Sequence, residues 1–403
     1  MNWSKEDRLI FICARTSLGQ ELKEQIKELQ KTHLDWPYIL DKAQKEGVSP
    51  LLYHNLSKIP CDGHNPPQEI LDRLEKNYYR NVACNMGLYH ELEKALKGLK
   101  KAGIEVILLK GAFLAETVYP NIGLRPMADI DLLIKKEDLR KIHKILNSLG
   151  YLSPHNYQDY LDIPHSPYLN TLIYQTPSPI YFFLHLHWHL INSSRPLHAY
   201  ASKIDMDSIW NEAIPFKVGN VSAMTMSPHH MLIHLCEHAF RHSFDRLILL
   251  SDIFELIRYY DKYLSWDEVI EEANRFNLIR PLYYSLYFTH KFLGAKIPRG
   301  VLSSIRPVKF TLWERKFISL ILNNVRGADL SFPMYLSIQS GLTQKIRFLW
   351  NTLFPPSQDM AHIYARNAHS TNVPHHVVRL HKAMGYGSRL LFSLITGREL
   401  KAM

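Results

Sequence analysis

Residues 104–133 read IEVILLKGAFLAETVYPNIGLRPMADIDLL. The run at 104–109 is short, mostly apolar and partly β-branched, which predicts a buried strand. A Lys-Gly step at Lys110 and Gly111 ends this run, and residues 112–118 suit a helix. The stretch therefore begins with a strand, a glycine turn and a helix, an arrangement in which backbone N–H groups can approach a phosphate.

A second apolar run, at 129–134, begins with the paired acids Asp129 and Asp131. Side chains alternate along a strand, so both carboxylates point to one face, with Cα atoms about 7 Å apart. Mg²⁺ prefers carboxylate oxygen, and in-line displacement at phosphorus commonly uses a pair of metal ions. The pair is predicted to bind Mg²⁺ or Mn²⁺, with Lys110 as a further cation. A solvated strand end is the alternative.

The flanking sequence predicts an α+β protein, with a small mixed sheet between two helical regions. Residues 1–95 and 216–403 carry apolar residues at helical spacing. Residues 96–215 instead give a strand, a helix, a second strand, a second helix and then a hairpin of 171–175 with 180–190. The chain is accordingly divided into an N-terminal helical region, a core and a C-terminal helical region with those three sets of bounds.

Composition restricts the class of protein and the kind of partner. The 403 residues are 46% hydrophobic and 21% charged, as in ordinary globular proteins. The net charge of +10 favours an anionic partner, namely a nucleoside triphosphate, RNA or a phosphorylated metabolite. No apolar run approaches the roughly 18 residues of a membrane span. Four scattered cysteines and a charged N-terminus predict a cytoplasmic protein.

The 22 histidines concentrate in two places. The strand at 180–190 carries His185 and His187 on one face, where imidazole can serve as metal ligand or general base. A helix starting at Ser227-Pro228 has a histidine at every fourth position, including His234 and His238. These side chains line a cleft, pack in the core, or form a zinc site with His-x3-His spacing.

The segment LLKGAFLAETVYPNIGLRPMADIDLLI, residues 108–134, resembles the core signature of a bacterial nucleotidyltransferase-like family. This family is an uncharacterised branch of the polymerase-β-type nucleotidyltransferase superfamily. The preceding helical segment at 36–56 and the later segments 185–190, 231–257 and 265–286 resemble the rest of the family in the same order. The resemblance covers residues 30–300 or so.

The resemblance implies metal-dependent transfer of a nucleoside monophosphate from a triphosphate, with ATP expected, to an unidentified acceptor. Asp129 and Asp131 match the metal carboxylates, and Gly111 takes the phosphate-loop position beside Lys110. Arg125 is implied either to contact phosphate or to lock its loop in a salt bridge. The helix bearing His234 and His238 would face the nucleotide site, and residues 157–168 would reach over it.

Two departures from the superfamily pattern leave alternatives open. A hydroxyl residue that usually follows the phosphate-loop glycine is Ala112 here, and the third carboxylate is replaced by His185, with His187 beside it. Activity then depends on histidine, or the chain is a non-catalytic nucleotide- or partner-binding module. A small-molecule acceptor is expected. A toxin-like enzyme that modifies tRNA or protein is a third possibility, favoured only by the positive charge.

Overall fold

The computed structural model describes residues 3–61, 63–153, 170–177, 182–191, 203–324, 330–339, 341–354, 380 and 384–385. The segment 157–168, predicted to reach over the site, lies outside these residues. The described part is a mixed sheet flanked by helical regions from both ends of the chain, which confirms the predicted α+β class.

Six described strands form one sheet in the order β3-β4-β2-β1-β6-β5. Their bounds are β1 Ile107–Leu108, β2 Asp129–Leu133, β3 Thr171–Gln175, β4 Phe183–His187, β5 Ile214–Val218 and β6 Val221–Thr225. Strand β1 pairs antiparallel with β2 and parallel with β6, and β2 pairs parallel with β4. Residues on both faces of β1 and β2 are buried. Other elements therefore cover the sheet on both sides.

Strand β1 is shorter than the predicted strand at 104–109. The ladder between β1 and β2 begins where Ile107 faces Leu133. Beyond that pair the chain turns to β4, because the Ile134 N–H donates to the His187 carbonyl at 2.7 Å. Residues 104–106 are left without a partner strand on that side, although the Val106 carbonyl accepts from Met224 on the other.

A second hairpin, β5–β6, extends the sheet past residue 215, where the core was predicted to end. Gly219, with φ of +53°, forms its two-residue turn with Asn220. Strand β6 completes the centre of the sheet, since Met224 pairs with Ile107. The sheet of the described structure therefore takes its strands from residues 107 to 225.

Helices precede and follow the sheet. The first five are α1 Lys5–Cys13, α2 Gln20–Gln30, α3 Trp36–Lys45, α4 Ser49–Leu56 and the long α5 Gln68–Lys101. Within the sheet region lie α6 Lys110–Phe113, which continues as a π-helical turn Leu114–Val118, then α7 Leu139–Ser148 and α8 Met206–Asn211. After the sheet come α9 Pro228–Arg241, α10 Leu247–Tyr260, α11 Trp266–Arg275, α12 Ile279–Leu293, α13 Arg299–Ser304, α14 Leu312–Leu322, α15 Ser331–Ser337 and α16 Gly341–Leu353.

The N-terminal and C-terminal helices pack against one another through buried acids. The Glu255 carboxylate on α10 accepts the backbone N–H of Thr16 at 2.7 Å and its hydroxyl at 2.9 Å. Glu46, after α3, accepts the Leu247 N–H at 2.6 Å and so satisfies a free donor at the start of α10. Helix α10 is thus held at both ends by the first fifty residues.

Replacing Glu255 with alanine should lower the free energy of unfolding by about 2–3 kcal/mol, because the buried Thr16 N–H then loses its acceptor. Urea denaturation followed by circular dichroism measures the change. Glu271→Ala, an exposed acid on α11, is the matched control and should change stability by less than about 0.5 kcal/mol. Equal midpoints for the two variants would show that this contact does not hold α10.

Candidate functional site

The turn after β1 begins with a strained residue. Lys110 has φ of +43°, a left-handed conformation that costs a residue with a side chain about 1–3 kcal/mol. The turn stays close to β2, because the Leu109 N–H donates to the Asp131 carbonyl at 3.1 Å. This backbone conformation directs the chain from the strand into α6 and places the Lys110 side chain beside Asp131.

Asp131 is the centre of the site. Its carboxylate has one oxygen 3.2 Å from the Lys110 ammonium and the other 2.7 Å from His187 Nε2. All three side chains are at least 85% buried. Burial alone would raise the pKa of Asp131, but Lys110 and hydrogen bonds from His185 and His187 outweigh it and hold that pKa well below its usual range. The carboxylate is therefore ionised at neutral pH.

Strand β4 brings its histidines to the paired acids. In the parallel register, His185 lies opposite Asp131, and its Nδ1 is 3.4 Å from Asp129 Oδ2 and 3.6 Å from Asp131 Oδ1. The Asp129 side chain is 41% exposed, whereas that of Asp131 is 9% exposed. The site therefore opens to solvent on the Asp129 side.

His187 is neutral, and its two hydrogen-bond partners allow either tautomer. Burial lowers its pKa more than the neighbouring Asp131 raises it. A neutral imidazole facing a carboxylate at 2.7 Å donates from Nε2, so its Nδ1 accepts from the Thr171 hydroxyl at 2.8 Å. Because that hydroxyl can also accept, Thr171 supports the opposite tautomer, in which His187 Nε2 is free to ligate a metal.

The histidine helix α9 lies near the site, because the charge of Lys110 acts on both His234 and His238. His234 is buried, and neither of its ring nitrogens has a hydrogen-bond partner among the described residues. Burial and then the charge of Lys110 hold the pKa values of His234 and His238 well below the usual range. Both rings are therefore neutral, and His234 has two free polar atoms near the Lys110–Asp131 pair.

Arg125 is held in a buried ion pair. Its Nη2 lies 2.8 Å and its Nε 3.3 Å from the carboxylate oxygens of Asp252 on α10, and Tyr119 donates to the same carboxylate at 2.9 Å. A Cβ at Gly111 would clash with the Arg125 guanidinium, so glycine is required for this close approach. Of the two roles implied for Arg125, contact with phosphate or a salt bridge that locks its loop, the observed contact is a salt bridge.

The structure thus brings most of the predicted site residues together. Lys110, Asp129, Asp131, His185 and His187 converge, whereas Arg125 packs against Gly111 and is paired with Asp252. The His234 and His238 rings are 6.4 Å apart on α9.

Sequence reasoning missed Thr171 and did not identify the partner of Asp252. The available signal for Thr171 was the hairpin predicted between 171–175 and 180–190, in which Thr171 lies opposite His187. No local signal links Asp252 to a residue 127 positions earlier.

The donor set of this site fits a divalent metal. Asp131, His185 and His187 each offer a ligand atom within 4.8 Å of the others, and Asp129 adds an exposed carboxylate. Carboxylates suit Mg²⁺ and Mn²⁺, whereas imidazole suits the softer first-row metals. The mixed set therefore favours Mn²⁺ over Mg²⁺ more than an all-carboxylate site would.

The sequence of residues 32–294 matches the model of a family described as uncharacterised nucleotidyltransferase. The chain belongs to this family. The match covers well over half the chain and contains every site residue described above. Membership supports nucleotidyltransferase chemistry and a nucleotide substrate in general terms.

A solved structure is also similar, an antigenic nucleotidyltransferase-like protein from Paracoccidioides brasiliensis. It is 12% identical, with a TM-score of 0.35, and the similarity covers 53% of this chain and 95% of that one. No curated protein matches the chain significantly. Among the described helices, none combines the length and apolar character needed to cross a membrane.

Replacing His234 with leucine should weaken the acid sensitivity of the fold. Because folding lowers the His234 pKa, the unfolded chain binds a proton that the folded chain does not, and stability falls as pH drops below about 6.5. One such group contributes at most about 1.4 kcal/mol per pH unit. Urea unfolding at pH 7, 6 and 5 measures the slope.

The exposed His33→Leu variant is the control and should retain the wild-type slope. An unchanged slope in His234→Leu would show that this imidazole does take up a proton in the folded protein.

Proposed function

We propose that this protein transfers a nucleoside monophosphate from a nucleoside triphosphate, with ATP the expected donor, to the hydroxyl group of a small molecule. The observation that supports this proposal is the convergence of Lys110, Asp129, Asp131 and His185 from three adjacent strand segments. In the reaction the acceptor oxygen forms a bond to the α-phosphorus. The bond from that phosphorus to the bridging oxygen breaks, and pyrophosphate leaves.

Divalent Mg²⁺ or Mn²⁺ bound at this site supplies neutralisation of the phosphate charge and polarisation of the phosphoryl oxygens. Asp129 and Asp131 hold the metal, with His187 as a further ligand through its second tautomer. His185 is partly exposed beside both acids, so it takes the proton of the acceptor hydroxyl. The residues of the Lys110–Gly111 turn bind the phosphates.

Lys110 has two uses in this proposal. Without nucleotide, its ammonium compensates the buried charge of Asp131. With a metal held by Asp131, the Lys110 ammonium would be free to bind the negative phosphates instead of that carboxylate. The neutral rings of His234 and His238 then each donate one hydrogen bond to the nucleotide, which gives one of the two unpartnered nitrogens of His234 a partner.

The competing function is a nucleotide-binding module without catalysis. It is favoured by one observation: both oxygens of Asp131 are already engaged, by Lys110 and His187. The two functions differ in metal dependence. A module whose Asp131 stays paired with Lys110 binds nucleotide equally with and without divalent metal and releases no pyrophosphate.

The double variant Asp129→Asn with Asp131→Asn should lower pyrophosphate release by at least about 100-fold, equivalent to about 2.7 kcal/mol of lost transition-state stabilisation. Labelled triphosphates are incubated with Mn²⁺ and pools of small molecules, tRNA or protein, and pyrophosphate is measured. Asparagine keeps the shape of the site, and Glu137→Gln on the exposed surface is the control. Metal-dependent release that survives the double change would refute the assignment.

His185→Asp restores a carboxylate where the superfamily carries one. We expect the ratio of Mg²⁺-supported to Mn²⁺-supported rate to rise about tenfold, because a hard oxygen then lies beside the metal site where His185 places an imidazole nitrogen. Initial rates at saturating metal provide the ratio. His90→Asp makes the same change on the exposed face of α5 and should leave the ratio unaltered. The same ratio in both variants would exclude His185 from the metal environment.

A further inference from the structure

A second group of histidines and acids lies at the start of α9, apart from the site on the sheet. Glu212 directly follows α8, while Ser227, His229 and His230 form the beginning of α9. His229 and His230 are more than 90% buried. Each of Glu212, His229 and His230 offers a ligand atom within 4.8 Å of the other two. These three residues are called the Glu212 cluster.

Four polar atoms of this region lie close together. Glu212 Oε2 lies 2.9 Å from His229 Nε2 and 4.0 Å from His230 Nδ1. The Ser227 hydroxyl lies 3.3 Å and 3.0 Å from the same two nitrogens. Ligands around tetrahedral zinc are separated by about 3.3 Å, given bond lengths near 2.0 Å. The observed distances bracket that separation.

The outward nitrogens of both rings are also engaged. His229 Nδ1 lies 3.4 Å from Glu268 Oε2, and His230 Nε2 lies 3.4 Å from Glu272 Oε2, both on α11. A carboxylate behind a ligating imidazole is the usual second interaction of metal-bound histidine, since it fixes the tautomer and the ring orientation. Here it leaves His229 Nε2 and His230 Nδ1 on the side of Glu212 and Ser227.

Ser227 behaves unusually for its position. It is the N-cap residue of α9, yet its side chain makes no capping hydrogen bond. A serine at this position normally accepts from a backbone N–H in the first turn, which stabilises a helix by about 1 kcal/mol. Its hydroxyl instead contacts the two imidazole nitrogens. The Ser227 side chain thus contacts the histidines of the cluster and does not cap the backbone N–H groups of the first turn of α9.

We propose that the Glu212 cluster binds a divalent transition metal of the zinc type, with His229 Nε2, His230 Nδ1 and Glu212 Oε2 as ligands. The Ser227 hydroxyl or a water completes four-coordination. The Glu212 side chain is 43% exposed, so the metal enters and leaves from that side. The metal joins the end of α8 to the start of α9, and α11 supports it through Glu268 and Glu272.

A metal at this site would fix the position of α9. His234 lies one helical turn beyond His230 on α9, about 6 Å along the axis. A metal at the first turn therefore fixes the rotation and depth of the helix that carries His234 and His238. This role requires no nucleotide and no turnover, and it stands whether or not the sheet site transfers nucleotides.

Cobalt substitution tests the proposal on the full-length protein. The chain is treated with chelator, dialysed and titrated with Co²⁺, whose tetrahedral complexes absorb strongly in the visible region. We expect one equivalent of tetrahedral Co²⁺, displaced by Zn²⁺, and a higher melting temperature with Zn²⁺ than with chelator. A wild-type protein without a tetrahedral Co²⁺ signal and with equal melting temperatures overturns the proposal, leaving His229 in direct contact with Glu212 and Glu268.

Variants distinguish this site from the acids on the sheet. Glu212→Gln, at a half-exposed position that should fold normally, is expected to weaken Co²⁺ binding by about tenfold or more. His229→Gln should do the same. Glu272→Gln and its exposed neighbour Glu271→Gln form a matched pair on α11, of which only the first should weaken binding. Asp131→Asn should leave the signal intact. A signal that Asp131→Asn removes and Glu212→Gln retains places the metal on the sheet and contradicts the proposal.

Discussion

The buried charge of Asp131 is the constraint on which the site depends. An ionised carboxylate in the middle of a sheet is tolerated only when both oxygens are paired. Lys110 and His187 provide that pairing, and they come from opposite neighbours of β2. The antiparallel register with β1 and the parallel register with β4 must both be correct for the charge to be compensated. The ionised Asp131 that the chemistry needs is therefore stable only in this sheet topology.

The same constraint accounts for the strained turn. The left-handed conformation of Lys110 costs free energy, and the contact with Asp131 offsets it. Gly111 then lets the guanidinium of Arg125 approach the turn from behind, and Asp252 holds that guanidinium in place. A cation therefore lies on each side of one short turn, and each is paired with a buried carboxylate.

The sequence correctly predicted the features of the site that depend only on neighbouring residues. The strand at 129–133, the paired acids on it and the two histidines of β4 follow from alternation and spacing, which depend on neighbouring residues alone. The hairpin β5–β6 also had a local signal, namely the Gly219-Asn220 turn between two segments that contain β-branched residues. The prediction ended the core at residue 215 and did not use this signal. That strand pair was missed although its information was present.

Other features had no local signal. Asp252 meets Arg125 across 127 positions of sequence, and Glu212 meets His229 because the hairpin β5–β6 returns the chain between them. The regular spacing on α9 suggested one histidine face, yet His230 contacts Glu272 on α11 while His234 lies near Lys110. Periodicity shows which residues share a side of a helix, but the neighbouring elements decide what each of them meets.

The central position of β1 also affects how the chain is made. Ile107 pairs with Met224, 117 residues later, so the middle of the sheet cannot close until that residue has left the ribosome. At about 5–20 residues per second, the apolar strand waits roughly 6–23 s for its partner. During synthesis one edge of this strongly apolar strand therefore stays unpaired for far longer than in a chain with only local pairings, which leaves that edge open to aggregation in the interval.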